Sequence, residues 1–231
     1  LMLRINTELP ADLVQLCKKQ GAAMVMAGSS AEYRRPEGRQ ILTENSPLET
    51  EKTYGASKAR GTTQASGLAN ETNVPLRVLR LFNVYGPGEP PHRLLPSLVS
   101  GLAANQRIAL SEGSQVRDFV YVGDVVEALL AAADHAEQRP DLPAAVWNVA
   151  TEEGRTVREF AQITARLSGQ AEHRLGFGDL PMRADEIEYL VGSSALIRAQ
   201  TGWAPRHNLT AGIEASLAQM ADGAIQVRAA Q

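Results

Sequence analysis

Tyr54 and Lys58 stand four residues apart in the stretch Tyr54-Gly-Ala-Ser-Lys58. On a helix that spacing puts both side chains on one face. A phenol ordinarily loses its proton near pH ~10. An ammonium beside it favours the phenolate, and a phenol tuned this way can give or take a proton at an alcohol. A serine hydroxyl at a neighbouring strand end can bind the same oxygen, and Ser29 and Ser30 close the apolar run "AAMVMAG" upstream. Serine, tyrosine and lysine in this arrangement make a hydride-transfer site, in which a nicotinamide carries the hydride and the protein moves the proton.

These groups need a strand to present the serines and a helix to carry the tyrosine. The spacing of Leu9, Leu13, Leu16 and Cys17 predicts a helix stopped by Gly21, with Cys17 on its packed face. "AAMVMAG" reads as a short buried strand, and the polar loop "RRPEGRQILTENSPLETEK" follows it. A helix is expected from about Tyr54 to Asn70, then the apolar strand "LRVLRLFNVYG" and the turn "YGPGEPP". Alternating helices and strands imply parallel pairing. Further on, "LLPSLVSGLAAN", "GDVVEALLAAADHA", "SSALIRAQTG" and "TAGIEASLAQMA" read as helices, and "RDFVYV" and "AVWNVA" as strands. Thr156 and Glu159 form a capping box opening the helix "VREFAQITARLSG".

Composition narrows the class. The 231 residues are 44% hydrophobic and 21% charged, enough for one sizeable core or two small lobes. A net charge of −3 makes no electrostatic case for nucleic acid or an anionic membrane. The apolar stretch "VVEALLAAA" is too short to span a bilayer. Cys17 is the only cysteine, so no internal disulfide forms and an intracellular, cytoplasmic location is expected, with no leader peptide. His92, His135, His173 and His207 match no metal-ligand spacing, and no metal is expected.

The sequence resembles the extended short-chain dehydrogenase/reductases, and among them the NAD-dependent epimerase/dehydratase family that modifies nucleotide sugars. "GSSAEY", "YGASK", "LRLFNVYGPG", "VRDFVYVGDVVEAL", "WNVATEEGRTVREF" and "TGWAPRHNLTAGI" carry the resemblance, in the family's order and across nearly the whole chain. It implies an α/β fold: a Rossmann-like doubly wound parallel sheet with a smaller mixed C-terminal substrate lobe. Residues 1–90 would belong to the dinucleotide-binding part, and residues 91–231 mainly to the substrate lobe, with a return strand at about 145–150. The resemblance makes Tyr54 the acid/base, and gives Lys58 the tasks of lowering its pKa and holding the nicotinamide ribose. Ser30 would bind the reacting sugar oxygen, with Ser29 as runner-up. Phe82 would meet the nicotinamide, Asn6 would approach the cofactor, and Asn83 would meet the substrate phosphate. Arg117 and Arg183 would grip the nucleotide diphosphate, a task that suits a guanidinium fork, and Glu186 would sit near the nucleoside ribose. The cofactor would be NAD or NADP, the substrate a nucleotide-diphosphate sugar, and the assembly a homodimer through the catalytic helix and its neighbour.

Two departures qualify that picture. The family's glycine-rich G-x-x-G-x-x-G turn is not found in the sequence, and Leu1 leads straight into a helical pattern. A truncated chain is therefore expected, lacking roughly eighty residues of the nucleotide-binding half. The serine loop "SAEY" is one residue shorter than in many relatives, with Arg34 where glycine is usual. Family dehydratases use an acidic residue two after the catalytic serine to remove a proton. Glu32 holds that place, but Ala31 stands where 4,6-dehydratases have an aspartate, so Glu32 is read either as that base or as a solvated loop carboxylate. The reactions implied are 4-epimerisation, 4-keto reduction or dehydration. The alternatives are a catalytically silent binding member or non-functional fragment, and an oxidoreductase of steroids or flavonoids, which the two arginines argue against.

Overall fold

The computed structural model describes residues 1–229, with side chains through residue 221. A π-helical turn at Arg4–Glu8 runs into α1 (Leu9–Gln20), which ends on Gly21 in the left-handed conformation. β1 (Met24–Ser29) leads through a 3-10 turn (Ser30–Glu32) and a loop holding β2 (Ile41–Leu42) into α2 (Thr53–Thr72). β3 (Leu76–Leu81), β4 (Asn83–Tyr85), α3 (Leu94–Ala103), β5 (Ile108–Leu110) and β6 (Val116–Tyr121) follow. Next come α4 (Val122–Gln138), β7 (Ala144–Val149), β8 (Gly154–Thr156) and α5 (Val157–Leu167). β9 (Leu175–Phe177), β10 (Tyr189–Gly192), α6 (Ala195–Thr201) and α7 (Leu209–Ala229) complete the order.

The main parallel sheet has the order β1-β3-β7, so the return strand lies beside β3 and β1 forms one edge. A second sheet runs β2-β10-β6-β4 in parallel, with β8 antiparallel to β6, and β5 pairs with β9. β3 is covered on both faces, which is why it reads as a near-continuous apolar run. Its arginines are the exceptions. Fully buried Arg77 donates to His135 Nδ1 at 3.0 Å and to the carbonyls of Leu142 (2.9 Å) and Arg139 (2.9 Å). Burial pulls the His135 pKa down, which suits its ring nitrogen to accept.

Three expectations change. "LRVLRLFNVYG" is not one strand: the chain leaves the main sheet at Phe82 and re-enters as β4 beside β6. Phe82 anchors the switch, its N–H bonding to Val149 O at 3.1 Å and its ring packed on Gly192, where a Cβ would lie 2.2 Å from the ring. The packed face of α1 is set by Val14, fully buried, with half-buried Cys17 packed beside it as expected, while Leu9, Leu13 and Leu16 are 44%, 37% and 51% exposed. Glu32 is no solvated loop carboxylate: it is fully buried and ion-paired with Arg80. The capping box at Thr156 and Glu159 forms as the sequence predicts, with both reciprocal bonds made.

Candidate active site

The C-terminal end of β1 turns sharply at the two serines. Ser29 caps the 3-10 turn, its hydroxyl accepting from Ala31 N at 3.1 Å. That leaves Ser30 as the serine whose hydroxyl has no partner among the described residues, and the side chain borders a cleft of about 550 Å³. Tyr54 borders the same cleft from the first turn of α2, half-exposed. Phe82 and Asn83 border it from the crossing between the two sheets, and Asn83 Oδ1 is buried without a hydrogen-bond partner.

The approach of α2 to the serine turn depends on glycine. A Cβ at Gly55 would lie 2.2 Å from the Ala31 carbonyl. At the same end, Glu49 Oε1 accepts the N–H groups of Thr50 (2.9 Å), Glu51 (2.8 Å) and Lys52 (3.2 Å). Those bonds, Glu51's foremost, hold its carboxyl below the usual range. One turn beyond Tyr54, Lys58 Nζ donates to Ala27 O on β1 at 2.7 Å, which ties the helix to the strand that carries the serines. Asn6 does not border the cleft; its amide donates to Ser57 Oγ at 3.0 Å, against the back of α2.

A second cleft of about 290 Å³ continues past Asn83 and is bordered by Arg93, Gln115, Arg117, Arg183 and Glu186. Arg117 is buried and donates to Glu186 and to the carbonyls of Ile187 (2.6 Å) and Val116 (2.8 Å). Burial pulls its pKa down against the opposing charge of Glu186. Arg117 and Glu186 are thus satisfied by each other, and exposed Arg183 is the more open cation of this cleft. Glu32 borders neither cleft.

Sequence reasoning missed Arg35, Lys52 and Arg93, which border the first cleft, and Gln115, whose buried Oε1 has no partner in the second. Gln115 lies two residues before Arg117, just ahead of β6, and borders the same cleft, a shared side that the period of two in extended chain makes available as a signal. Nothing in local spacing marks the other three.

The model of the NAD dependent epimerase/dehydratase family matches residues 1–150. CDP-abequose synthase of Salmonella typhimurium is 27% identical over 154 residues, 66% of this chain and 50% of that protein. The dTDP-D-glucose 4,6-dehydratase of Mus musculus is 30% identical over 129 residues, 55% of this chain and 35% of its own length. Among solved structures, MoeE5 in complex with UDP-glucose and NAD gives a TM-score of 0.81 at 25% identity, covering 94% of this chain and 71% of that one. The chain therefore spans half or less of the length of these two sequence relatives.

Proposed function

The chain belongs to the NAD dependent epimerase/dehydratase family, and on that premise we propose that it is the catalytic part of an NAD- or NADP-dependent enzyme acting at C4 of a nucleotide-diphosphate sugar by 4-epimerisation, 4-keto reduction or dehydration. The observation that carries the reading is the shared cleft of Ser30, Tyr54, Phe82 and Asn83, with Lys58 one helical turn beyond the tyrosine. The relatives named for CDP-, dTDP- and UDP-sugars support the substrate class.

The residues present fit the nicotinamide end of a dinucleotide. Phe82 supplies a flat apolar wall, and Asn83 Oδ1 is a buried acceptor in want of a donor. When bound, the nicotinamide supplies the hydride carrier. Tyr54 takes or returns the proton at the sugar O4. Lys58, one helical turn beyond, holds the nicotinamide ribose. Ser30 donates to the same O4 and fixes its direction. Asn83 offers its amide N–H₂ to the substrate phosphate side, Arg183 grips the diphosphate with Arg117 behind it, and Glu186, paired with Arg117, faces the nucleoside ribose. Residues 1–90 then serve the cofactor and residues 91–231 mainly the substrate. The exposed leucines of α1, beside α2, suit a homodimer, and a cytoplasmic setting suits the lone cysteine.

The test is turnover of UDP-glucose, dTDP-glucose and their 4-keto derivatives with NAD and NADP. Tyr54→Phe is expected to lower kcat by about 10²–10⁴-fold while nucleotide-sugar binding by calorimetry is kept. Undiminished turnover in Tyr54→Phe overturns the reading.

A further inference from the structure

Glu32 and Arg80 form a buried ion pair directly behind the serine turn. Glu32 is 0% exposed and Arg80 4%. Glu32 Oε1 accepts the Ser29 N–H at 2.9 Å, and Oε2 accepts Arg80 Nε at 2.9 Å. Gly28 makes the room: a Cβ there would lie 2.7 Å from Glu32 Oε1. Arg80 also donates to Tyr33 Oη at 3.0 Å, and that hydroxyl donates to Asn148 Oδ1 at 2.6 Å. The guanidinium stacks 4.7 Å from the Tyr33 ring centroid. Both oxygens of Glu32 are therefore occupied, and the backbone N–H that one of them holds belongs to the residue preceding Ser30.

We infer that Glu32 and Arg80 are positioning residues that aim the Ser30 hydroxyl into the cleft, and that the site lacks a carboxylate base for a carbon-bound proton, so its chemistry stops at C4 oxidation and reduction without elimination of water. The inference rests on the function proposed above and narrows it. Eliminating water beside a 4-keto group requires a base to take the C5 proton, cleavage of the C6–O bond, and an acid to protonate the departing hydroxide. Among the described residues bordering the cleft, Glu49 is the one carboxylate. Its Oε1 is spent on three backbone N–H groups, and those bonds make it a weak base. Tyr33 borders the cleft too, but its hydroxyl is held between Arg80 and Asn148. Tyr54 is left as the free proton carrier, and it serves O4.

Two readouts separate this inference from the broader reading. The first needs no turnover. Amide hydrogen exchange of Ser29 is expected to quicken by about tenfold or more in Glu32→Ala, and to return toward wild type in Glu32→Gln, whose amide oxygen still accepts the N–H. Unchanged Ser29 exchange in Glu32→Ala overturns the positioning role, even if no nucleotide sugar proves to be a substrate. The second is turnover in ²H₂O with UDP-glucose and dTDP-glucose, read by mass spectrometry. The recovered sugar is expected to keep its water and to carry no deuterium at C5, and Glu32→Gln to restore the kcat lost in Glu32→Ala without changing KM or the shape of the pH profile. Loss of water, or C5 deuterium that Glu32→Gln abolishes, overturns the inference and leaves C4 chemistry at Tyr54 standing. Absence of any turnover counts against the proposed function, while the exchange measurement still decides the role of the ion pair.

Discussion

Asn6 Nδ2 donates to Ser57 Oγ at 3.0 Å, and the same hydroxyl donates onward to Tyr54 O at 2.8 Å. A residue from the N-terminal turn thereby reaches the backbone of the proposed acid/base through one buried serine. Asn6→Ala and Ser57→Ala are each expected to destabilise the fold by about 1 kcal/mol, the ordinary net worth of such a bond. The double variant should cost clearly less than the two singles together, since they share a partner. Urea unfolding of the four proteins checks it, and strict additivity would contradict the relay.

Gly55 brings α2 against the Ala31 carbonyl. Gly55→Ala forces a separation that helix propensity alone would favour filling, since alanine is the better helix former. The steric clash wins: a net loss of about 1–3 kcal/mol is expected, with kcat falling because Tyr54 moves away from Ser30. An alanine variant as stable as wild type would show that the two elements can part freely.

Asp118 is fully buried, with its carboxylate accepting from Thr151 N (2.7 Å), Thr151 Oγ1 (2.7 Å), Glu152 N (3.1 Å) and Gly192 N (3.3 Å). Burial outweighs those donors and pushes its pKa up to about 6 from the ordinary 3.8. The folded state therefore holds this proton more tightly than the unfolded chain. Its contribution to stability is full below pH ~3.8 and is lost as pH rises through ~6. Each step of one pH between those two values costs ~1.4 kcal/mol, so the stability of wild type relative to Asp118→Asn should fall by about 2 kcal/mol between pH 4 and pH 7. A pH-independent difference in urea midpoints would contradict it.

Leu9, Leu13 and Leu16 share one exposed face of α1. Placing a charge at its centre, Leu13→Glu, is expected to convert a dimer to monomer in sedimentation velocity while leaving the monomer folded. A species of unchanged size would remove α1 from the interface.

The sequence was most legible where structure is local. Gly21 and Gly202 each mark a helix stop and the Thr156–Glu159 box a helix start through chemistry within a few residues, and the helices do stop and start there. The leucines of α1 show the limit of periodicity: a stripe predicts the helix but not which face is covered, because that is decided by α2, and α2 takes Val14. Glu32 shows the same limit for a single residue. Its partner Arg80 lies 48 positions away, and the pairing exists only because β1 and β3 are neighbours in register, Gly28 beside Arg80. The strand break at Phe82 was hidden for a related reason: "LRVLRLFNVYG" is mostly apolar on both sides of it, and hydrophobicity does not say to which sheet a strand belongs.

Arg77 has a consequence for the order in which the protein can assemble. Its distant acceptors, His135, Arg139 and Leu142, are 58, 62 and 65 residues further along the chain. At ribosomal rates of ~5–20 residues per second, several seconds pass between synthesis of β3 and of the groups that hydrogen-bond its buried guanidinium. Over the same interval β7 does not yet exist to cover the far edge of β3. Closing the sheet early would bury that charge without its acceptors, a cost that favours keeping the nascent β1–β3 pair open until α4 and β7 have emerged. This arginine makes premature burial costly and couples the first half of the chain to the second during translation.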